Sequence, residues 1–139
     1  MTTRPALKLT HQGALKALSA CVAKAEEMGV GQNVTIVDEM GVLLAFARMD
    51  GAKTLSIKTS RAKALTAASH RVPTGKIDAG PDMKFAVATE GEMINLPGGL
   101  PIVIDEQVVG AIGVGSGTGA QDVEVARAGL AALGAKDFD

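Results

Sequence analysis

The sequence predicts an α+β fold, in which helices flank one antiparallel sheet, within a single domain that spans residues 1–139. Two pairs of apolar runs are each joined by a short polar turn, which is the pattern of a β-hairpin. Apolar residues recur at helical spacing before, between and after these hairpins. Since hairpins pair antiparallel strands, a doubly wound parallel sheet is disfavoured. The 47% of residues that are hydrophobic supply a core of the size that one domain needs.

The first predicted helix runs from about Thr10 to Met28. Thr10 suits the N-cap position and Gly29 suits the C-cap position. Apolar residues at helical spacing predict the stripe of this helix that packs against the sheet, which comprises Leu15, Leu18, Val22 and Ala25. Cys21 lies near this stripe and is therefore expected to be a buried, inert thiol.

The first hairpin and the second helix follow directly. Strands over 33–38 and 42–49 are joined by Glu39-Met40-Gly41, a short polar turn that ends in glycine. Residues 55–69 predict a helix, and Pro73 ends it. The predicted apolar stripe of this second helix comprises Leu55, Ile57, Ala62, Leu65 and Ala68. From 74 to 89 the sequence predicts irregular structure, with one helical turn near residues 82–85.

The second hairpin is the most informative part of the chain. It is entered through the corner Pro97-Gly98-Gly99, and its two apolar runs are separated by Asp105-Glu106-Gln107. Seven glycines lie between Gly98 and Gly119, and glycine lets other atoms approach the backbone closely. We therefore expect this segment to form one wall of any ligand site. A last helix is predicted from about Gln121 to Leu133.

Composition and charge exclude several classes of function. The net charge is −1 and no run of five like charges occurs, which argues against nucleic acid or an anionic membrane as the main partner. One cysteine cannot form a disulfide within the chain, and with only two histidines no metal site is expected. The N-terminal residues lack the apolar segment of a signal peptide, and no apolar run could span a membrane. These features predict a cytoplasmic protein.

Aromatic residues are scarce, which bears on assembly. The chain contains three phenylalanines and no tryptophan or tyrosine. Its core must therefore be built from smaller side chains. Each of them buries little apolar area, and burial stabilises the fold by roughly 25 cal/mol per Å². Burial of further surface between copies would add stability, so we expect a homo-oligomer.

Three charged residues are candidates for binding or catalysis. Arg48 and Asp50 end the second strand and project to the same side of an extended segment. The planar guanidinium could hold the carboxylate of a small ligand, and a structural ion pair between the two residues is the alternative. Lys63 is flanked by small residues, so its helix can pack closely and enclose it. An enclosed lysine could act as a base or form a Schiff base, and a solvated lysine is the alternative.

Histidine and the glycine-rich loop offer further candidates. His70 falls at the C-terminal end of the second helix, where it could serve as an acid or base, as an imidazole ligand or as a simple cap. His11 is expected to be exposed. The loop 113–119 could offer free amides to an anion, but it does not match the dinucleotide-binding pattern, so a tight connector is the alternative. Glu90 and Glu92 could act as paired carboxylates or form part of a solvated loop.

Five segments together resemble the GlcG/HbpS family, to which the C-terminal domain of PduO-type proteins also belongs. The resemblance covers nearly the whole chain, and the segments occur in the same order. They are Val37-Asp38-x-x-Gly41-x-Leu43-Leu44-Ala45-Phe46-x-Arg48-Met49-Asp50-Gly51-Ala52, Lys63-Ala64-x-Thr66-Ala67, Pro97-Gly98-Gly99-x-Pro101-Ile102, Val109-Gly110-Ala111-Ile112-Gly113-Val114 and Gln121-Asp122.

The resemblance implies a fold and a set of binding residues. The fold would be a profilin-like α-β-β-α-β-β-α sandwich, assembled as a homo-oligomer and in some members as an octamer. Some members bind haem, and others accompany catabolic pathways. The residues that match the shared pattern and so become candidate ligand-binding residues are Arg48, Asp50, Lys63, Gly98, Gly99 and Asp122.

Two hypotheses of function follow, and a purely structural scaffold is a third. The first is an oligomer that binds haem or a related tetrapyrrole, for which His70 is the better imidazole candidate. The second is a small enzyme or accessory protein of organic-acid or aromatic catabolism. Lys63 or His70 would then be the acid or base, and Arg48 would bind a carboxylate. In each case we expect the Arg48 corner, the second helix and the Pro-Gly-Gly bend to surround one shared hollow.

Overall fold

The computed structural model describes residues 1–78 and 82–139. They form helices on both faces of a four-stranded antiparallel sheet with the order β2-β1-β4-β3, which confirms the predicted α+β fold. The elements are α1 (His11–Met28), β1 (Asn33–Asp38), β2 (Leu43–Arg48), α2 (Leu55–His70), α3 (Asp82–Ala88), β3 (Gly99–Ile104), β4 (Gln107–Gly115) and α4 (Gly119–Ala132). Within these residues, no helix is both long enough and apolar enough to cross a membrane.

The short helix α3 corrects the irregular segment predicted between 74 and 89. Its two turns extend beyond the single turn expected near residues 82–85, while residues 79–81 of that prediction lie outside the described residues. Met83, Phe85 and Val87 are spaced two apart, so they produce no helical periodicity in the sequence. None of the residues of α3 is buried, which leaves this helix as an exposed ridge.

Helices α1 and α4 pack on each other and on one face of the sheet, and α2 packs on the other face. The main core lies on the α1/α4 side of the sheet. Its fully buried large side chains include Val34, Ile36, Leu100, Ile102, Ile112 and Leu130. A smaller cluster lies beneath α2 and comprises Val37, Ala64, Ala67, Ala68 and Ala111.

The predicted stripe of α1 is wrong in part, because small residues and not large ones face the interior. Leu15 is exposed and Leu18 and Val22 are only partly buried, whereas the buried residues are Ala14, Ala17, Cys21 and Ala25. The cause is the close approach of α4: a Cβ atom on Gly129 would lie 2.6 Å from Cys21 Sγ. Burial raises the pKa of the Cys21 thiol to about 12, as expected of an inert cysteine.

The predicted stripe of α2 is also wrong in part, for the same reason: its alanines, Ala62 and Ala68, are buried, but none of its larger residues is. Leu55 is 80% exposed and Ile57 is exposed, while Ser56, Ser60 and Ala64 are buried. The helix lies directly on the glycines of β4, where a Cβ atom on Gly113 would be only 1.9 Å from the Ser60 carbonyl oxygen. This depth carries Lys63, on the same helix, into the interior of the protein.

Candidate functional site

Lys63 and Asp122 form a buried ion pair, with the two residues 5% and 2% exposed. The Lys63 ammonium donates to Asp122 Oδ2 at 3.0 Å and to the Val114 carbonyl oxygen at 2.8 Å. The pair therefore connects α2, the end of β4 and the first turn of α4. The expectation that close packing encloses Lys63 is confirmed.

Asp122 is held from its other side by neutral donors. Its Oδ1 accepts hydrogen bonds from Gln32 Nε2 at 2.9 Å and from the Gly117 amide at 3.0 Å. Burial raises the pKa of Asp122 above its ordinary value, and the Lys63 ammonium opposes this rise only in part. Gln32 was missed in the sequence because it lies 90 residues from its partner, where no local pattern could mark it.

The Pro-Gly-Gly bend closes over this ion pair. Gly98 has φ +125°, and a Cβ atom there would lie 3.0 Å from Lys63 Nζ. At Gly99 a Cβ atom would lie 2.4 Å from the Lys63 carbonyl oxygen, so neither position has room for a side chain. Thr74 fixes the bend, because its Oγ1 accepts from the Gly99 amide at 2.8 Å and its own amide donates to the Gly99 carbonyl oxygen at 2.9 Å.

The structure thus brings together four of the residues expected to bind a ligand, Lys63, Gly98, Gly99 and Asp122. Every polar contact of the Lys63 ammonium described above is with the protein itself. The four residues form a sealed interior cluster in which the lysine is paired and covered.

Arg48 and Asp50 lie elsewhere. Both are exposed, and they line an open groove of about 520 Å³ between the C-terminal end of α1 and β2. Among residues 1–78 and 82–139 neither takes part in an ion pair, so the alternative of a structural Arg48–Asp50 pair is wrong. Arg48 lies on β2, the edge strand, where it is paired with Asn33 of β1, so the whole of β1 separates Arg48 from β4. The Arg48 corner, α2 and the Pro-Gly-Gly bend therefore do not surround one shared hollow within the chain, contrary to expectation.

His70 borders a second groove, of about 280 Å³, between α2 and α3. Apolar side chains from Leu65, Phe85 and Met93 line it together with polar ones from Thr66, Ser69, Thr89 and Glu92. Thr66 ties the segment after α3 to α2, since its Oγ1 donates to the Glu92 carbonyl oxygen at 3.1 Å and accepts from the Ile94 amide at 3.0 Å. This arrangement places an exposed imidazole beside an apolar cleft.

The glycine-rich loop 113–119 serves as a connector. The Gly117 amide donates to Asp122, and the Thr118 amide donates to Gln121 Oε1 at 2.9 Å. The Gln121 amide in turn donates to Thr118 Oγ1, which completes a capping box at the start of α4. Because these amides are engaged within the protein and a carboxylate already lies beside them, the structure favours the connector over an anion site.

The chain resembles known proteins over nearly its whole length. The family model described as "Haem degrading protein HbpS-like" matches residues 9–131. Protein GlcG of Escherichia coli strain K12 is 36% identical over 107 residues, which cover 76% of this chain and 80% of that protein.

Solved structures share the fold. The Klebsiella pneumoniae protein ORFY superposes with a TM-score of 0.87 at 30% identity and covers 99% of both chains. A double mutant of HbpS from Streptomyces reticuli superposes with a TM-score of 0.84 at 32% identity, over 94% of this chain and 90% of that chain. PduOC in complex with haem has a TM-score of 0.87 at 22% identity, over 96% of this chain and all of that chain, a likeness of fold alone.

Proposed function

Because this chain belongs to the family described as haem-degrading, HbpS-like proteins, we propose that it binds haem or a related tetrapyrrole as a homo-oligomer. The observation that carries the proposal is the position of His70 beside the apolar cleft between α2 and α3. Haem sites combine an axial ligand, most often an imidazole, with an apolar lining that controls access to the iron. His70 would supply the imidazole ligand, and Leu65, Phe85 and Met93 would supply the apolar lining.

The dimensions of the groove agree with partial enclosure of a macrocycle. Ligand sites measure roughly 300–1,000 Å³, and this groove of about 280 Å³ lies just below the lower limit of that range, so it would enclose only part of the ligand. Phe85 and Leu65 would hold an apolar part of the ligand, and the open side of the groove would leave another part exposed. A second subunit would then cover the exposed part, which agrees with the proposed assembly.

The roles of the residues follow from their chemistry. His70 would hold the iron through its imidazole, and the apolar side chains would orient the ring and exclude water. The Thr66 and Ser69 hydroxyls would offer hydrogen bonds at the polar rim of the groove. When bound, haem would supply iron-centred redox chemistry, and the protein would control its orientation and its access to solvent.

Haemin titration tests this proposal. We expect a saturable shift of the Soret band with one site per subunit, and we expect His70→Ala to weaken binding by roughly tenfold or more, since the axial ligand is lost. His11→Ala is the matched control, because His11 is also exposed but lies on α1, on the opposite face of the sheet. A titration without saturation, or an equal loss in the two variants, would contradict haem binding at this groove.

A second candidate function is supported by the Arg48 groove. The exposed Arg48 guanidinium, which forms no ion pair within residues 1–78 and 82–139, could receive the carboxylate of an organic acid or aromatic acid, as a catabolic enzyme or accessory protein requires. Lys63 is enclosed and paired, so His70 is the better placed of the two acid or base candidates.

Thermal stabilisation by a panel of small carboxylates tests the second candidate. We expect Arg48→Ala to abolish any rise in melting temperature, while Arg4→Ala, which removes another exposed arginine ahead of α1, should preserve it. If no carboxylate stabilises the protein, or if both variants lose the effect equally, Arg48 does not bind a carboxylate.

A further inference from the structure

Among the elements that the structure describes, no helix packs over one face of β2. Cross-strand pairing places Phe46 opposite Thr35, and Thr35 Oγ1 is hydrogen-bonded to Ser60 Oγ of α2 at 2.9 Å. Phe46 therefore points to the α2 side of the sheet. Helix α2, however, packs on β1, β3 and β4. Phe46 and its neighbour Leu43 are left exposed at the edge of the sheet.

A flank of α2 continues this exposed surface. Ile57, Arg61 and Leu65 recur at a spacing of four and so lie on one flank of the helix. Leu65 contacts Gly41 in the turn between β1 and β2, which shows that this flank is turned toward β2. We define the basic strip as Leu43, Phe46, Arg48, Ile57 and Arg61. Arg48 lies two residues after Phe46 on β2, so strand alternation puts it on the same face, at the end of the strand that also borders the α1 groove. Within the described part of the chain neither of its arginines forms an ion pair.

A second exposed apolar surface has the opposite charge. Met83 and Val87 of α3 are 77% and 71% exposed, and Phe85 is exposed as well. We define the acidic ridge as residues 82–92, which contain three carboxylates and a single lysine. The carboxylates belong to Asp82, Glu90 and Glu92, all of them exposed.

We propose that a second copy of this chain docks here, with the basic strip of each copy against the acidic ridge of the other. Leu65 contacts Gly41 and also lines the groove beneath α3, so the two surfaces lie side by side on one face. A twofold axis between them brings both complementary contacts together at once. The proposal rests on the homo-oligomer proposed above and names its interface.

This pairing would also complete the ligand groove. The groove between α2 and α3 is bordered by the acidic ridge, so the partner's basic strip would cover its open side. Arg48 and Arg61 of the partner would then bring guanidinium groups to a site whose ligand, a tetrapyrrole, carries carboxylates. Each groove would be built from residues of two copies.

Charge reversal tests the interface. We expect Arg61→Glu to weaken self-association by at least about tenfold in sedimentation equilibrium, because it sets like charges against each other. Glu90→Lys should have the same effect from the ridge side. Lys16→Glu is the control, since it makes the same charge change at an exposed position on α1, across the sheet.

Mixing the two variants gives the sharpest readout. In a pair formed by one Arg61→Glu copy and one Glu90→Lys copy, opposite charges face each other at both contacts, so we expect association to return to within a few-fold of the original protein. If the original protein is monomeric at these concentrations, the proposed assembly fails as well. If it associates but Arg61→Glu behaves like Lys16→Glu, or mixing restores nothing, only this interface is wrong. Circular dichroism verifies that each variant is folded.

Discussion

Replacing Lys63 with methionine is expected to lower the free energy of unfolding by about 3–5 kcal/mol, because it leaves the Asp122 carboxylate buried without its cation. Methionine keeps most of the length of the lysine side chain, so a cavity contributes little to the loss. Urea denaturation near neutral pH measures the effect. This would be among the largest single-residue losses in the protein, although Lys63 lies outside the apolar core.

The loss should depend on pH in a defined direction. Burial raises the native pKa of Asp122 above its unfolded value of about 3.9, so the native state binds this proton more tightly. The stabilising contribution of this group is complete below the unfolded pKa and is lost as the pH rises through the native pKa. Lys63→Met removes the opposing ammonium and raises that native pKa further. The difference between variant and original protein should therefore shrink as the pH falls from about 7 toward about 4.

A double-mutant cycle separates the ion pair from its surroundings. Asp122→Asn alone leaves the Lys63 ammonium buried without a counter-charge, and we expect it to be destabilising as well. The combined Lys63→Met, Asp122→Asn protein carries neither charge, so its loss should be clearly smaller than the sum of the single losses. Additive losses, or a Lys63→Met loss below about 1 kcal/mol, would contradict the buried pair.

Gly113→Ala is expected to destabilise the protein by about 3 kcal/mol or more, at or beyond the upper end of the cost of overpacking. The added Cβ would lie 1.9 Å from the Ser60 carbonyl oxygen and 2.6 Å from the Ala64 amide nitrogen, which are backbone atoms that cannot rotate away. The helix α2 would have to rise from the sheet. Because α2 carries Lys63 and His70, we expect haemin binding to weaken together with stability.

Gly115→Ala is the matched control for this prediction. Gly115 lies two residues further along β4, on the same face of the sheet, and its added Cβ would be 3.1 Å from Ser56 Cβ and 3.3 Å from Thr59 Oγ1. These contacts are tight but are made mainly with side-chain atoms, so a loss of about 1 kcal/mol is expected. Thermal and urea unfolding of the two variants should differ clearly. Equal losses would show that the distance between α2 and β4 does not set the cost.

The elements themselves were largely accessible from local sequence. The Thr10 and Gly29 caps bound α1 as expected, and both predicted hairpins form. Their turns differ by one residue from the prediction, because Val42 precedes β2 and Gln107 already belongs to β4. Such features depend on the conformational preferences of a few consecutive residues, so a local pattern is sufficient to reveal them. The predicted apolar stripes of α1 and α2 were wrong at their large residues, because periodicity gives most weight to large side chains. A helix that approaches a glycine-bearing strand within contact distance instead buries its alanines and serines.

The same distinction applies to the candidate sites: their residue types can be read from the sequence, but their positions relative to one another cannot. By itself the sequence determined the order of the elements other than α3 and the residue types available for chemistry, including Lys63, His70, Arg48 and Asp122. Only the tertiary structure decided which of them meet: Lys63 and Asp122 pair across 59 positions, while Arg48 is set apart on an edge strand. The physical reason is that strand register and the depth of α2 on the sheet determine these distances. Both result from packing between distant segments, which no window of neighbouring residues contains.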